Sequence, residues 1–165
     1  MYARLMASIG INATVINNVN VKDMATYLIT DKFFRKLEKM VSIFAAYGIS
    51  LFLSLNYAAP IELGELDTAD PLDESVKAWW NTKMKEVFTQ IPNLGGFLIK
   101  ADSEGRPGPF TYGRTHGDGA NMLADAVKPS YLIDPVMIGL NMNRDVLYDR
   151  INRRVDKLYE MGLEE

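Results

Sequence analysis

The chain reads as an α/β fold, with four βα units forming a parallel sheet behind one N-terminal helix. The first observation behind this is an alternation of short apolar or β-branched runs with longer segments whose apolar residues recur at helical spacing. The second is that the interval between runs leaves room for a helical crossover, which parallel strands require. The third is length. The chain has 165 residues, whereas a closed eight-stranded βα barrel takes about 250. The four units therefore make half of a TIM-type barrel or a small open doubly wound sheet, and periodicity does not separate the two. Residues 1–165 are read as one domain.

The elements follow in order. The first ten residues suit an amphipathic helix with Gly10 as its stop. Residues 11–17 are a short β-branched run, the first strand. Residues 31–47 carry Phe33, Phe34, Leu37, Met40, Val41 and Phe44 at helical spacing, and Gly48 ends that helix. Residues 49–56 are the clearest strand, with Ile49, Leu51, Leu53 and Leu55 on one face and Ser50, Phe52 and Ser54 on the other. Residues 73–91 repeat the helical pattern through Val76, Trp79, Trp80, Met84, Val87, Phe88 and Ile91. Residues 96–100 are the third strand. Residues 118–127 form a short helix capped by Asp118. Residues 136–140 are the fourth strand, and residues 144–161 the last helix, with Leu147, Ile151, Val155 and Leu158 on one stripe.

Composition removes several function classes. Lys plus Arg number 18 against 21 Asp plus Glu, a net charge of −3, so neither nucleic acid nor an anionic membrane is an expected partner. Cysteine is absent, which excludes disulfides, thiolate metal sites and thiol catalysis. His116 is the single histidine, so no multi-histidine metal site can form, and no cofactor is expected. No apolar run reaches the roughly 18 residues of a membrane span. No targeting signal is visible, and a cytoplasmic or recombinant soluble product is expected.

Parallel βα folds gather their working groups where strands end and loops begin. Every strand exit here is polar. The first leaves through Asn17, Asn18 and Asn20, the second through Asn56 and later Glu62, and the fourth through Asn141 and Asn143. Asn favours turns for local reasons, so these exits are weak signals. The third exit is more specific: Lys100, Asp102, Ser103 and Glu104 leave a buried strand directly. A partly desolvated carboxyl at a strand end gains the raised pKa of a general acid, and a neighbouring lysine receives an anionic substrate group. The bland alternative is a surface ion pair.

Three other features carry bland readings. The stretch Gly108-Pro-Phe-Thr-Tyr-Gly-Arg-Thr115 is spaced like a phosphate-binding loop, but Pro109 removes an amide donor and Gly117 delays the helix. His116 beside Asp118 is read as a loop histidine bonded to a neighbour rather than a catalytic pair. Trp79 and Trp80 as a sugar platform compete with a helical apolar pattern that puts at least one of them in the core.

The motifs also carry a resemblance. Residues 1 to about 129 resemble the central barrel of the α-glucuronidases of glycoside hydrolase family 67. The matching stretches are Gly10-Ile-Asn with Asn17-Asn-Val-Asn20, Ala59-Pro-Ile-Glu-Leu-Gly64, Leu66-Asp-Thr-Ala-Asp-Pro71, Gly95-Gly-Phe-Leu-Ile-Lys-Ala-Asp-Ser-Glu-Gly105, Pro107-Gly-Pro, Tyr112-Gly-Arg-Thr-His116 and Asp118-Gly-Ala-Asn-Met-Leu-Ala124. Glu65 and Gly117 depart from the pattern, standing where the family usually has Gly and Ala. The resemblance implies removal of 4-O-methylglucuronic acid from xylan-derived oligosaccharides, with inversion and without a metal. It makes Glu104 the general acid that protonates the leaving sugar oxygen, and Lys100 the residue that meets the uronic acid.

Residues from about 134 to 165 resemble a strand-helix segment of the tRNA dimethylallyltransferases, through Val136-Met-Ile-Gly-Leu-Asn-Met-Asn-Arg-Asp145 and Leu147-Tyr-Asp-Arg-Ile-Asn-Arg-Arg-Val-Asp156. Together the two resemblances imply an engineered or recombined chimera, with an α-glucuronidase-like barrel fragment over 1–129 and a transferase-like unit over 130–165. The family's base carboxylates have no counterpart, so the expected function is a folded protein without natural activity. Glu62, Asp67 and Asp102 are the candidates to approach Glu104 in the base's place, though nothing in the sequence fixes their distance. The alternatives are residual glycoside hydrolysis or uronic acid binding at Lys100 and Glu104, and tRNA binding through the last helix. That helix region carries Arg144, Arg150, Arg153, Arg154 and Lys157 against six acids, which argues against a nucleic-acid stripe. A half-barrel exposes sheet edges, so a homodimer is the expected assembly, with uronic acid as a weak ligand.

Overall fold

The computed structural model describes residues 1–16, 21–102 and 105–128, together with Asp149 and Arg153. Helix α1 (Tyr2–Ser8) leads into strand β1 (Ala13–Ile16). A 3₁₀ turn (Asp23–Ile29) precedes α2 (Asp31–Ala45), followed by β2 (Ser50–Asn56), the one-turn α3 (Ala59–Glu62), α4 (Glu74–Gln90) and β3 (Gly96–Lys100). A second 3₁₀ turn (Pro109–Tyr112) then enters α5 (His116–Val127). The fourth strand and last helix expected from sequence lie outside the described residues.

The three strands form one parallel, open sheet in the order β1-β2-β3. The order does not reverse, so the described strands contain no topological switch point. The sheet is open and not a closed barrel, and a run of three sequential parallel strands is shared by a half-barrel and by one half of a doubly wound sheet. Successive crossovers of one hand place their helices on one face of the sheet, and α2, α4 and α5 pack side by side there. Paired residues of parallel neighbours point to the same side. Leu51, Leu53 and Leu55 face the helices and are buried, whereas Val15 and Leu98, which flank Phe52 and Ser54 on the other face, are 40% and 39% exposed.

The core joins that leucine row to one stripe of each long helix. Helix α2 contributes Phe34, Leu37, Val41 and Phe44, and α4 contributes Val76, Trp79, Trp80, Met84, Val87 and Phe88. Met40, expected in the α2 stripe, is exposed at its edge. Gly48, with φ of +70°, lets the chain leave α2 in the left-handed region and turn directly into β2. Asp73 caps α4 by accepting from the backbone N–H of Ser75 at 2.8 Å and of Val76 at 3.4 Å. Helix α5 starts earlier than expected. Its cap is Thr115, and Asp118 sits three residues in, closing a capping box through the Thr115 N–H at 2.8 Å.

Candidate functional site

The C-terminal ends of β2 and β3 lie side by side, with Asn56 in register with Lys100. Asn56 is buried and fully employed. Its amide donates to the Thr26 hydroxyl at 3.0 Å, and its side-chain oxygen accepts the Ala58 N–H at 2.9 Å. Thr26 in turn donates to Glu62 Oε2 at 3.0 Å. The other Glu62 oxygen lies 2.7 Å from an Arg106 nitrogen, an ion pair whose N–H vectors are not aimed at it. Arg106 also reaches Asp23 at 3.5 Å. The sequence reading placed Asn56 and Glu62 at one strand exit. The structure joins them through Thr26, which sits in a 3₁₀ turn without a sequence periodicity to announce it.

Lys100 is the last residue of β3 and is exposed. Ser103 and Glu104 lie outside the described residues. Asp102, two residues beyond Lys100, is in the left-handed region with φ of +52°, a conformation that Asp tolerates better than most side chains. One of its oxygens, Oδ2, accepts the Phe110 N–H at 3.2 Å and lies 2.9 Å from His116 Nε2. The His116 ring stacks on Phe110, with centroids 4.2 Å apart and planes 28° apart. His116 therefore pairs with Asp102 and not with Asp118, its sequence neighbour, because the 3₁₀ turn folds the start of α5 back over the end of β3.

The same loop is tied to the segment before α4. Arg114 grips Asp70 through two nitrogens, at 3.0 and 3.0 Å, and the Tyr112 hydroxyl accepts the Ala69 N–H at 3.0 Å. Beneath it, the Tyr57 hydroxyl is buried without a hydrogen-bond partner among the described residues, and burial first, then the nearby carboxylates led by Asp102, push its pKa up. Tyr57 therefore stays a neutral phenol. The stretch spaced like a phosphate loop is this 3₁₀ turn, so its amides do not form a helix-opening cradle. Trp79 and Trp80 are both buried, edge to face at 4.8 Å, and neither is a sugar platform. Glu65, the departure from the family pattern, accepts the Trp79 indole N–H at 2.7 Å.

Chemically, the described carboxylates around the strand exits are all engaged: Glu62 by Thr26 and Arg106, Asp70 by Arg114, and Asp102 by Phe110 and His116. Asp67 is exposed. Among the described residues no three His, Asp or Glu side chains group to hold a metal ion, and no helix is long and apolar enough to cross a membrane.

These contacts set an acid limit on stability. The Arg114 hydrogen bonds hold the Asp70 carboxyl below its usual value of 3.8, and Ser75 and Thr115 do the same for Asp73 and Asp118. A carboxyl whose native pKa is lowered contributes stability above its unfolded pKa, and that contribution is lost as pH falls through the native value. The urea midpoint is therefore expected to be flat from pH 7 to about 5 and to fall below about 4. Asp70→Asn should make that fall shallower. A midpoint that rises on acidification would contradict the assignment.

The model of the glycosyl hydrolase family 67 middle domain matches residues 1–160. The chain belongs to this family. This family 67 middle-domain chain is 45% identical over 151 residues to Alpha-glucuronidase A of Emericella nidulans, covering 92% of the chain and 17% of the relative. It is 41% identical over 152 residues to Alpha-glucuronidase of Hypocrea jecorina, covering 92% and 17%. A probable Alpha-glucuronidase A of Aspergillus niger is 48% identical over 128 residues, covering 78% and 15%. The chain thus spans less than a fifth of the length of these relatives. The family match also corrects one expectation. It runs to residue 160 and does not end near 129, so it overlaps the segment read as transferase-like, and the junction on which the chimera reading rested is not marked by an end of the match.

Proposed function

We propose that the C-terminal edge of this sheet is part of an α-glucuronidase site, in which Lys100 meets the carboxylate of a uronic acid and Glu104 protonates the oxygen of the leaving sugar. The observation that carries the reading is the family match over residues 1–160. The position of Lys100 supports it, at the end of β3 and in register with Asn56. An inverting glycosidase breaks the glycosidic C–O bond as the acid gives its proton to the departing oxygen. Water attacks from the opposite face, and a second carboxylate about 6.5–9.5 Å from the acid takes its proton. Among the described residues Glu62, Asp70 and Asp102 are each committed to other partners, whereas Asp67 is exposed. Uronic acid binding without turnover is the expected behaviour of the chain by itself.

Calorimetric titration with glucuronic acid tests the binding claim. The wild-type chain should give a saturable heat that Lys100→Met removes, and a heat unchanged by Lys100→Met would overturn the substrate reading. An assay on a glucuronate-bearing xylooligosaccharide tests the second claim. Release of glucuronic acid by the purified chain, abolished by Glu104→Gln, would overturn the absence of turnover while upholding the role of Glu104.

A further inference from the structure

The exposed aromatic at this edge is Phe110. The residue is 61% exposed, so its ring is accessible to a ligand. The ring is nonetheless held in place. Its backbone N–H is fixed by Asp102 Oδ2, Pro109 beside it is buried, and one ring face is covered by His116. More than half of the residue's surface is still exposed. Gly108, just before Pro109, lies so close to Asp102 that a Cβ there would stand 2.6 Å from Oδ1, so the turn presenting Phe110 is packed without slack.

His116 adds a polar handle. Its side chain is 52% exposed and its Nε2 is spent on a carboxylate oxygen, which only accepts. Nε2 therefore carries a proton, and Nδ1 is left to accept from a hydroxyl when the ring is neutral or to donate to one when it is charged. A flat apolar face beside a single reversible donor or acceptor suits a pyranose, whose axial C–H face is apolar and whose rim carries hydroxyls.

We propose that Phe110 and His116 form a sugar subsite that stacks a neutral pyranose of the oligosaccharide. The identity of the wider substrate rests on the uronic acid reading above, but the subsite makes its own prediction with a neutral ligand. Xylotriose, which has no carboxylate, should bind the wild-type chain in calorimetric titration. Phe110→Ala should weaken it about tenfold, and Phe110→Trp should retain it. Because the chain has one histidine, the His116 ring protons give a single set of NMR signals in the wild type, and these should shift on adding xylotriose.

No xylotriose heat, unshifted His116 signals, or equal affinity in wild type and Phe110→Ala would each overturn the subsite. Glucuronic acid titrated in parallel separates the two readings. A Phe110-dependent xylotriose isotherm without glucuronate binding upholds the subsite and removes the uronic acid site. Glucuronate binding without xylotriose binding does the reverse.

Discussion

Truncating Trp80 to alanine should cost the fold about 3–5 kcal/mol, a large part of the roughly 5–15 kcal/mol that holds a domain of this size together. Trp80 is fully buried in α4, edge-on to Trp79 and within the core cluster that includes Leu51, Leu53 and Met84. Removing the indole empties a volume that the rigid β2 leucine row cannot collapse into, so the cavity adds to the lost transfer free energy. The indole N–H has no hydrogen-bond partner among the described residues. Trp80→Phe deletes that N–H and keeps most of the apolar volume, so it should cost far less than the alanine. Urea unfolding followed by circular dichroism measures both. A Trp80→Ala midpoint within about 1 kcal/mol of wild type would mean the residue is not enclosed as described.

Gly108→Ala should have the second largest effect, and a different one. The added methyl would fall against the Asp102 backbone nitrogen and 2.6 Å from its Oδ1. Backbone cannot swing aside as a side chain can, so the segment as a whole has to shift, at a cost of about 1–3 kcal/mol. That shift parts Asp102 from both the Phe110 N–H and His116 Nε2. The readout is the His116 ring spectrum: the ring-current displacement imposed by Phe110 at 4.2 Å should disappear in Gly108→Ala. A spectrum identical to wild type would show that the turn absorbs a methyl without moving, contrary to the packing described.

The sheet and its long helices were legible in the sequence for concrete reasons. Strand β3 occupies the same residues, 96–100, as expected, and β2 differs by one residue at its start, because alternation over Leu51, Leu53 and Leu55 has no helical reading. Helix α4 carried a long 3.6-residue stripe from Val76 to Ile91. The 3₁₀ turns at 23–29 and 109–112 and the short α3 were not legible, since a turn or two is too short to show a period.

The site depended on those same turns. Asp102 meets His116 across 14 residues and Asp70 meets Arg114 across 44, and sequence adjacency pointed instead to Asp118. The aromatic singled out from sequence was the tryptophan pair, which the stripe of α4 buries. Phe110 was passed over because one exposed ring in a Gly-Pro turn has no pattern around it. The strand-exit rule did place Lys100 and Asn56 correctly, because it depends only on where a strand stops.

The strand order carries a consequence for how the chain is made. Each strand pairs with the one synthesised immediately before it, β2 on β1 and then β3 on β2. A reversing sheet must hold an edge open until a later strand arrives, whereas the described strands close each pairing with the next βα unit to leave the ribosome. Early units can therefore dock during translation, before the rest of the polypeptide exists. The loops that form the strand-exit edge follow their strands in the same succession, so this rim is assembled step by step from the N-terminal side.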